Sequence, residues 1–143
     1  MTVKAILSRK GRDAVTIEPT ASIAAAAQLL AERRIGAVIV TNSSGEVVGI
    51  LSERDIVRML AAKGAEALGL SVDNGMTRRV VSCSESDTSA VLMERMTTGK
   101  FRHIPVLEEN RLVGVISIGD IVKHRLEEIE GESAALRDYI LTA

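Results

Sequence analysis

The chain has 143 residues, 46% of them hydrophobic, and 18 basic against 19 acidic side chains give a formal charge of −1. That length fits one compact domain, or two closely packed halves of about 60 residues whose small size calls for a shared core. The charge balance excludes a general polyanion binder, which needs a surplus of phosphate-neutralising cations. The lone cysteine, Cys83, excludes an intramolecular disulfide and any CxxC metal pair.

A single thiol fits a reducing compartment. The N-terminal MTVKAILSRKG lacks the apolar run of a secretion signal. The longest apolar stretch, residues 23–31, is broken by Gln28 and falls short of the ~20 residues a bilayer demands. A soluble, cytoplasmic protein with no membrane or nucleic-acid partner is therefore expected.

In chain order, a helical extension at the N-terminus is followed by a short strand over Ala14 to Ile17. Thr20 and Ser22 are candidate caps for a helix through about Arg33. Ala37 to Val40 and Val47 to Leu51 are β-branched apolar runs flanking the turn signature Asn42-Ser43-Ser44-Gly45. Ser52 opens a helix that ends near Gly64. Residues 65–79 form a connection, with a loop at Ser71 to Gly75. A second series begins with a strand at Val80. Met93 and Met96 sit at helical spacing, as core residues do. The series closes with a helix from Ser117 that runs long, toward Tyr139 and Ile140, with an interruption expected at Gly131.

The two series are copies. Val40 matches Val106 at an offset of 66, and Val48, Gly49, Ser52, Asp55, Ile56 and Val57 match Val113, Gly114, Ser117, Asp120, Ile121 and Val122 at 65. The one-residue slip falls in the turn, where a true repeat tolerates it. Each copy reads β-α-β-β-α, an α+β (α/β) class, with the first repeat over 8–64, the second over 76–128 and a C-terminal helical extension over 129–143. One such unit cannot cover its own sheet face. Two are expected to bury those faces on each other about an approximate two-fold axis, leaving equivalent clefts between them.

GILSERDIVR and GVISIGDIVK, with IGAVIV, NGMT and FRHIPV, resemble the CBS domain family, whose tandem pair is called a Bateman module. The resemblance covers nearly the whole chain. It implies a regulatory module that binds an adenosyl ligand: AMP first, with ATP, ADP or NAD next and S-adenosylmethionine also known in the family. It also implies a homodimer and, since no effector domain is attached, a separate effector protein. The family's ligand motif, Gly, two apolar residues, Ser or Thr, two variable residues and Asp, occurs at Gly49–Asp55 and at Gly114–Asp120. Ionised Asp55 and Asp120 can accept hydrogen bonds from ribose hydroxyls. Ser52 and Ser117, with the first N–H groups of each helix, can meet a phosphate. Ile118 and Gly119 belong to the second motif, where Gly119 stands in place of Arg54, so the two clefts are electrically unequal. Ser-x-x-Asp also fits a capping box that only closes the helix on itself.

Basic residues precede each middle strand. Arg33 and Arg34 precede one, Lys100, Arg102 and His103 the other, and such cations could neutralise phosphates; Arg102 and His103 are assigned to a ligand or a dimer face, whereas Arg33 and Arg34 fit a solvated helix end beside the C-terminal dipole. The adenine is expected against Thr16 and Ile17 in one repeat and Val81, Ser82 and Cys83 in the other. Ala37, Val38, Ile104 and Pro105 complete the walls. Only Phe101 and Tyr139 are aromatic, so the base is expected between aliphatic side chains. Neither His103 nor His124 has a nucleophile motif beside it, and GxxxxGK[ST], GxGxxG and metal-ligand spacings are absent. These patterns predict a protein that is not an enzyme. A dimerising adaptor with idle clefts is the alternative.

Overall fold

The computed structural model describes residues 1–142; Ala143, the last residue of the expected C-terminal extension, lies outside them. Helix α1 (Val3–Lys10) starts where the Thr2 hydroxyl accepts from the Ala5 amide at 3.2 Å, so residue 8, expected to open the first repeat, falls inside it. Strand β1 (Thr16–Ile17) is two residues, shorter than the expected Ala14 to Ile17. Helix α2 (Ile23–Arg33) is capped by Ser22, whose hydroxyl accepts from Ala25. Strands β2 (Ala37–Thr41) and β3 (Val47–Ser52) form the hairpin around Gly45, whose φ of 80° permits the turn. Helix α3 (Glu53–Lys63) ends at Gly64. Two short 3₁₀ turns, Gly64–Gly69 and Val72–Asn74, lead to α4 (Ser89–Gly99), β4 (His103–Glu108), β5 (Arg111–Ser117) and α5 (Ile118–Thr142).

The sheets are unequal. The first is three-stranded in the order β1-β2-β3, with β1 parallel to β2; the second is the β4-β5 hairpin alone. The strand expected at Val80 is reduced to one bridge, Cys83 to Val106. Proline explains the loss. In the first repeat the Ile39 amide donates to the Val15 carbonyl. The equivalent residue in the second repeat is Pro105, which has no N–H to give, so the ladder cannot extend toward Val81.

Helix α5 passes through Gly131 without the expected interruption. A helical glycine costs only about 1 kcal/mol relative to alanine. The neighbours Glu130, Glu132, Ala134 and Ala135 are good or adequate helix formers.

The expected shared core is also revised. Each repeat has its own apolar cluster: Ile23, Leu30, Val38, Val40, Leu51 and Val72 in the first, Leu92, Met96, Ile104, Val106, Ile116 and Ile121 in the second. The second is completed by Val3, Ile6 and Leu7 of α1, from the far end of the chain. The helices flanking each hairpin already cover its apolar face, so the halves meet through edges and loops.

Two close crossings tie the halves together. A Cβ on Gly49 of β3 would lie 2.6 Å from the Met76 sulfur and 3.0 Å from the Thr77 carbonyl; a Cβ on Gly114 of β5 would lie 2.7 Å from Leu7. The connection between the repeats thus lies against the first, and α1 lies against the second. Ile50 and Thr77 exchange both backbone hydrogen bonds at this crossing, at 3.0 and 2.8 Å.

Candidate functional site

Ser52 ends β3 in extended conformation and caps α3, which sets Asp55 on the first helical turn. Asp55 is buried. Its Oδ2 accepts from the Ser52 amide at 3.0 Å and the Ser52 hydroxyl at 3.1 Å, while the Asp55 amide donates back to Ser52 Oγ at 3.2 Å. This reciprocal pair is the capping box that the motif also allowed. Its Oδ1 accepts at 3.3 Å from both Arg58 and Thr77. Those contacts are long for bonds to a charged acceptor, which run nearer 2.8 Å. One face of Asp55 is therefore held by the main chain and the other by exchangeable side-chain donors.

Open space lies beside it. A cavity of about 650 Å³ spans the two repeats. Gly36 and Ala37 enter from the start of β2, and Ile50, Ser52, Glu53, Arg54, Asp55 and Arg58 from β3 and α3. Thr77, Arg79, Val80 and Val81 come from the connection, and Gly99 to His103 from the α4–β4 loop. Five cations, Arg54, Arg58, Arg79, Lys100 and Arg102, face two carboxylates, Glu53 and Asp55. That surplus gives the cavity a locally positive character in a chain with no overall positive charge. Glu53 N donates to the Gly36 carbonyl at 2.9 Å, and the Ser52 hydroxyl is engaged with Asp55. The Ser52 hydroxyl and the Glu53 amide are thus engaged, whereas Arg54, Arg79, Lys100 and Arg102 have no carboxylate partner among the described residues.

His103 sits at the β4 end of this wall. Burial pushes its pKa below the ordinary imidazole value, with Lys10 and Arg102 adding to the shift and Asp120 and Glu53 opposing it. It is neutral at physiological pH.

The second motif is arranged differently. The Ser117 amide donates to Asp120 Oδ2 at 2.9 Å, and the Asp120 amide donates to Ser117 Oγ at 3.1 Å. Lys10 of α1 then donates to Asp120 Oδ2 at 2.6 Å and to the Val115 carbonyl at 2.7 Å. Burial works against ionisation of Asp120, but the Lys10 and Ser117 hydrogen bonds outweigh it and hold the carboxyl below the usual range. An ammonium group thus stands where the expected ribose would donate. Ile118 and Gly119 are exposed on the first turn of α5.

Of the residues expected at a ligand, Ala37, Ser52, Arg54, Asp55, Val81, Arg102 and His103 come together on the large cavity, with Lys100. Ser117, Ile118, Gly119 and Asp120 do not line it, although Ser117 pairs with His103 and Ile118 donates to the Arg102 carbonyl at its edge. Val38 and Ile104 are core, at 1% and 0% exposure. Pro105 is buried, Thr16 is exposed, and Ile17 packs against the first core. Ser82 offers its carbonyl to Arg95. Cys83 is buried in the second core, which pushes its thiol pKa up to about 12. Arg33 is exposed in the last turn of α2. Arg34 caps that helix at φ 55° and borders a more open groove with Leu30, Ile56 and Val57. Lys100 caps α4 the same way at φ 58°.

Phe101 corrects the expectation of purely aliphatic walls: it lines the cavity. Thr77, Arg58, Arg79 and Lys10 were not singled out by sequence. Arg58 carried one signal, its place three residues after Asp55 on the same helix face. Arg79 and Lys10 lie in segments outside the repeating motif and carried none. Among the described residues no group of three or more His, Cys, Asp or Glu side chains is placed to hold a metal ion, and no helix is long and apolar enough to cross a membrane.

Comparison with known proteins places this geometry. A CBS-domain containing protein from Agrobacterium tumefaciens superposes with a TM-score of 0.85 at 52% identity, covering 87% of this chain and 92% of that one. A CBS domain protein from Pyrobaculum aerophilum complexed with AMP gives 0.75 at 28% identity, over 84% and 89%. A CBS domain pair in complex with 5′-methylthioadenosine and S-adenosyl-L-methionine gives 0.80 at 25%, over 90% and 98%. A 17.7 kDa protein of Acidianus ambivalens is 31% identical over 112 residues; the match covers 78% of this chain but 66% of that protein. The chain likewise spans 58% of the mitochondrial CBSX3 protein of Arabidopsis thaliana, at 29% identity over 80% of this chain. The CBS domain model matches residues 3–62 and again 70–127, and the chain belongs to the CBS domain family as a tandem pair.

Proposed function

We propose that this protein is a regulatory module that binds a phosphate-bearing adenosine ligand in the cavity beside Asp55, with AMP as the preferred candidate and ADP, ATP or NAD next. The observation that carries this reading is the meeting, in one 650 Å³ space between the repeats, of a buried carboxylate and five cationic side chains. The ribose would replace Thr77 and Arg58 on Asp55 Oδ1, the oxygen held by the longer bonds. Arg54, Arg79, Lys100 and Arg102 would neutralise the phosphate, and Phe101, Ala37 and Val81 supply apolar surface for the base. A related pair complexed with AMP supports this ligand class, and one complexed with 5′-methylthioadenosine and S-adenosyl-L-methionine, which carry no phosphate, supports its adenosyl part alone.

The cavity draws on both repeats, so a ligand there acts on their relative position. It shifts that equilibrium only as far as its affinity differs between the arrangements. A separate effector protein in the cytoplasm would read the change. The fold carries the sensing, and no catalytic role is assigned to it.

Isothermal titration calorimetry on nucleotide-free protein tests this reading with AMP, ADP, ATP, NAD and S-adenosylmethionine. One site per chain for AMP is expected. No heat with any of the five would remove it. A second reading, a dimerising adaptor with idle clefts, is favoured by one specific feature: both motif carboxylates are already satisfied by their own capping serines. The adaptor predicts that AMP leaves the melting temperature unchanged.

A further inference from the structure

The C-terminal half of α5 leaves the body of the molecule. Residues 129–142 are exposed throughout, and the helix extends about 37 Å at 1.5 Å per residue. Most of its exposed apolar residues fall in one series, with Ile118, Tyr139 and Leu141 outside it. Val122, Leu126, Ile129, Leu136 and Ile140 follow an alternating spacing of four and three, with Ser133 filling the remaining place in the series. These five hydrophobic side chains are 43–65% exposed. Spacing of that kind over three heptads is the signature of a two-stranded coiled-coil seam. The residues that hold α5 to the body, Ile121, His124 and Glu128, lie about 100–160° around the helix from the middle of this series. The seam therefore faces solvent, and most of it lies beyond residue 127, where the family match ends.

Charge decides what fits it. With Leu126, Ser133 and Ile140 at a and Val122, Ile129 and Leu136 at d, the flanking g positions are Arg125 and Glu132 and the flanking e positions are Glu130 and Arg137. In a parallel, in-register pair each g residue meets the e′ residue five places on. Arg125 then faces Glu130 of the other copy, and Glu132 faces Arg137, so all four contacts across the symmetric seam are attractive. The antiparallel pairing that covers the same length sets Glu130 on Glu130, Glu132 on Glu132, Lys123 near Arg137 and Arg125 near the uncharged Tyr139, so every charge–charge contact is repulsive. An antiparallel pair shifted by one heptad restores attraction but leaves Leu136 and Ile140 uncovered in one direction and Val122 and Leu126 in the other. We propose that α5 pairs with α5 of a second copy of this chain as a parallel, in-register coiled coil. Arg125 has a competing partner in its own helix, Glu128 at 3.0 Å, but an exposed pair of that kind is weak and exchangeable.

The test uses the full chain and two charge swaps, both at exposed positions. One variant carries Glu130→Arg with Arg137→Glu; the other carries Arg125→Glu with Glu132→Arg. Sedimentation equilibrium should find a wild-type dimer and self-association weakened roughly tenfold or more in each variant alone. An equimolar mixture should recover the wild-type affinity, because each swap complements the other, and that recovery separates pairing from misfolding. Leu136→Cys chains should form a disulfide-linked dimer on mild oxidation, since equivalent d residues meet in register. A monomeric wild type, a dimer indifferent to both swaps, a mixture that does not recover, or failure of dimeric Leu136→Cys protein to cross-link would each overturn the proposal.

Discussion

Lys10 Nζ and Asp120 Oδ2 lie 2.6 Å apart, joining α1 to the first turn of α5 across 110 residues of sequence. The pair is half-buried, so its contribution exceeds that of a surface ion pair but stays modest. Replacing Lys10 by Met is expected to cost about 1–2 kcal/mol at pH 7, read from urea denaturation. Asp120 has a native pKa below its unfolded one. The native state therefore binds fewer protons in between, and the stabilisation is fully present above about pH 4 and lost as pH falls through the native value. The gap between wild type and Lys10→Met should close over that fall. A gap independent of pH would show that Lys10 acts by packing alone.

The same pair predicts unequal clefts. Wild-type protein should bind one AMP per chain, and Lys10→Met should admit a second, weaker one at Asp120. Calorimetric stoichiometry reads this directly. Two equal sites in the wild type would contradict the blocked second cleft.

Binding and stability should separate within the large cavity. Asp55→Ala removes the acceptor of the Ser52 amide and hydroxyl, one half of the capping box, at a cost of about 2–3 kcal/mol. Arg54→Ala and Arg79→Ala remove cations with no hydrogen-bonded carboxylate among the described residues, so stability should hold within about 0.5 kcal/mol. AMP affinity should fall by roughly tenfold for each. Unchanged affinity in both would leave the cations without a role.

His103 is held neutral chiefly by burial. Its native pKa lies below the unfolded value, so stability declines as pH falls below about 6.5 and levels off once the native imidazole is protonated. An anion in the cavity should reverse part of that shift. NMR titration of the imidazole with and without AMP should show a higher pKa in the complex. An unmoved His103 would place the phosphate elsewhere.

Cys83 should be inert in the folded protein. Its thiol is buried and its pKa raised to about 12, so the thiolate that reacts with disulfide reagents is scarce at pH 8. Reaction with 5,5′-dithiobis(2-nitrobenzoate) should await unfolding. Rapid labelling of native protein would show that the second core opens readily.

Local rules made much of this architecture legible. Ser22 and Ser52 announced their helices, Gly45 and Gly64 their turns, and the repeat itself exposed both motifs. Arg54, Asp55, Arg102 and His103 were expected at a ligand and do share one cavity. The rest is tertiary. Thr77 reaches Asp55 from 22 residues away and Lys10 reaches Asp120 from 110, distances over which no periodicity speaks. The missing strand at Val80 is an intermediate case. Aligning the repeats sets Pro105 over Ile39, and the lost N–H follows from chemistry once that alignment is trusted as a hydrogen-bond map.

The glycines that open the two motifs lend themselves to a different moral. Gly49 leaves room for Met76 and Thr77, and Gly114 leaves room for Leu7. In both places the stretch of chain that introduces one repeat is laid across the other, like two hands each clasping the opposite wrist. Neither half supplies the whole of the cover over its own hairpin. Severed at the connection, the N-terminal piece would carry a helix suited to its absent twin and lack the turn that shields its own β3. The tandem, not the single repeat, is then the smallest piece in which both hairpins keep their full cover.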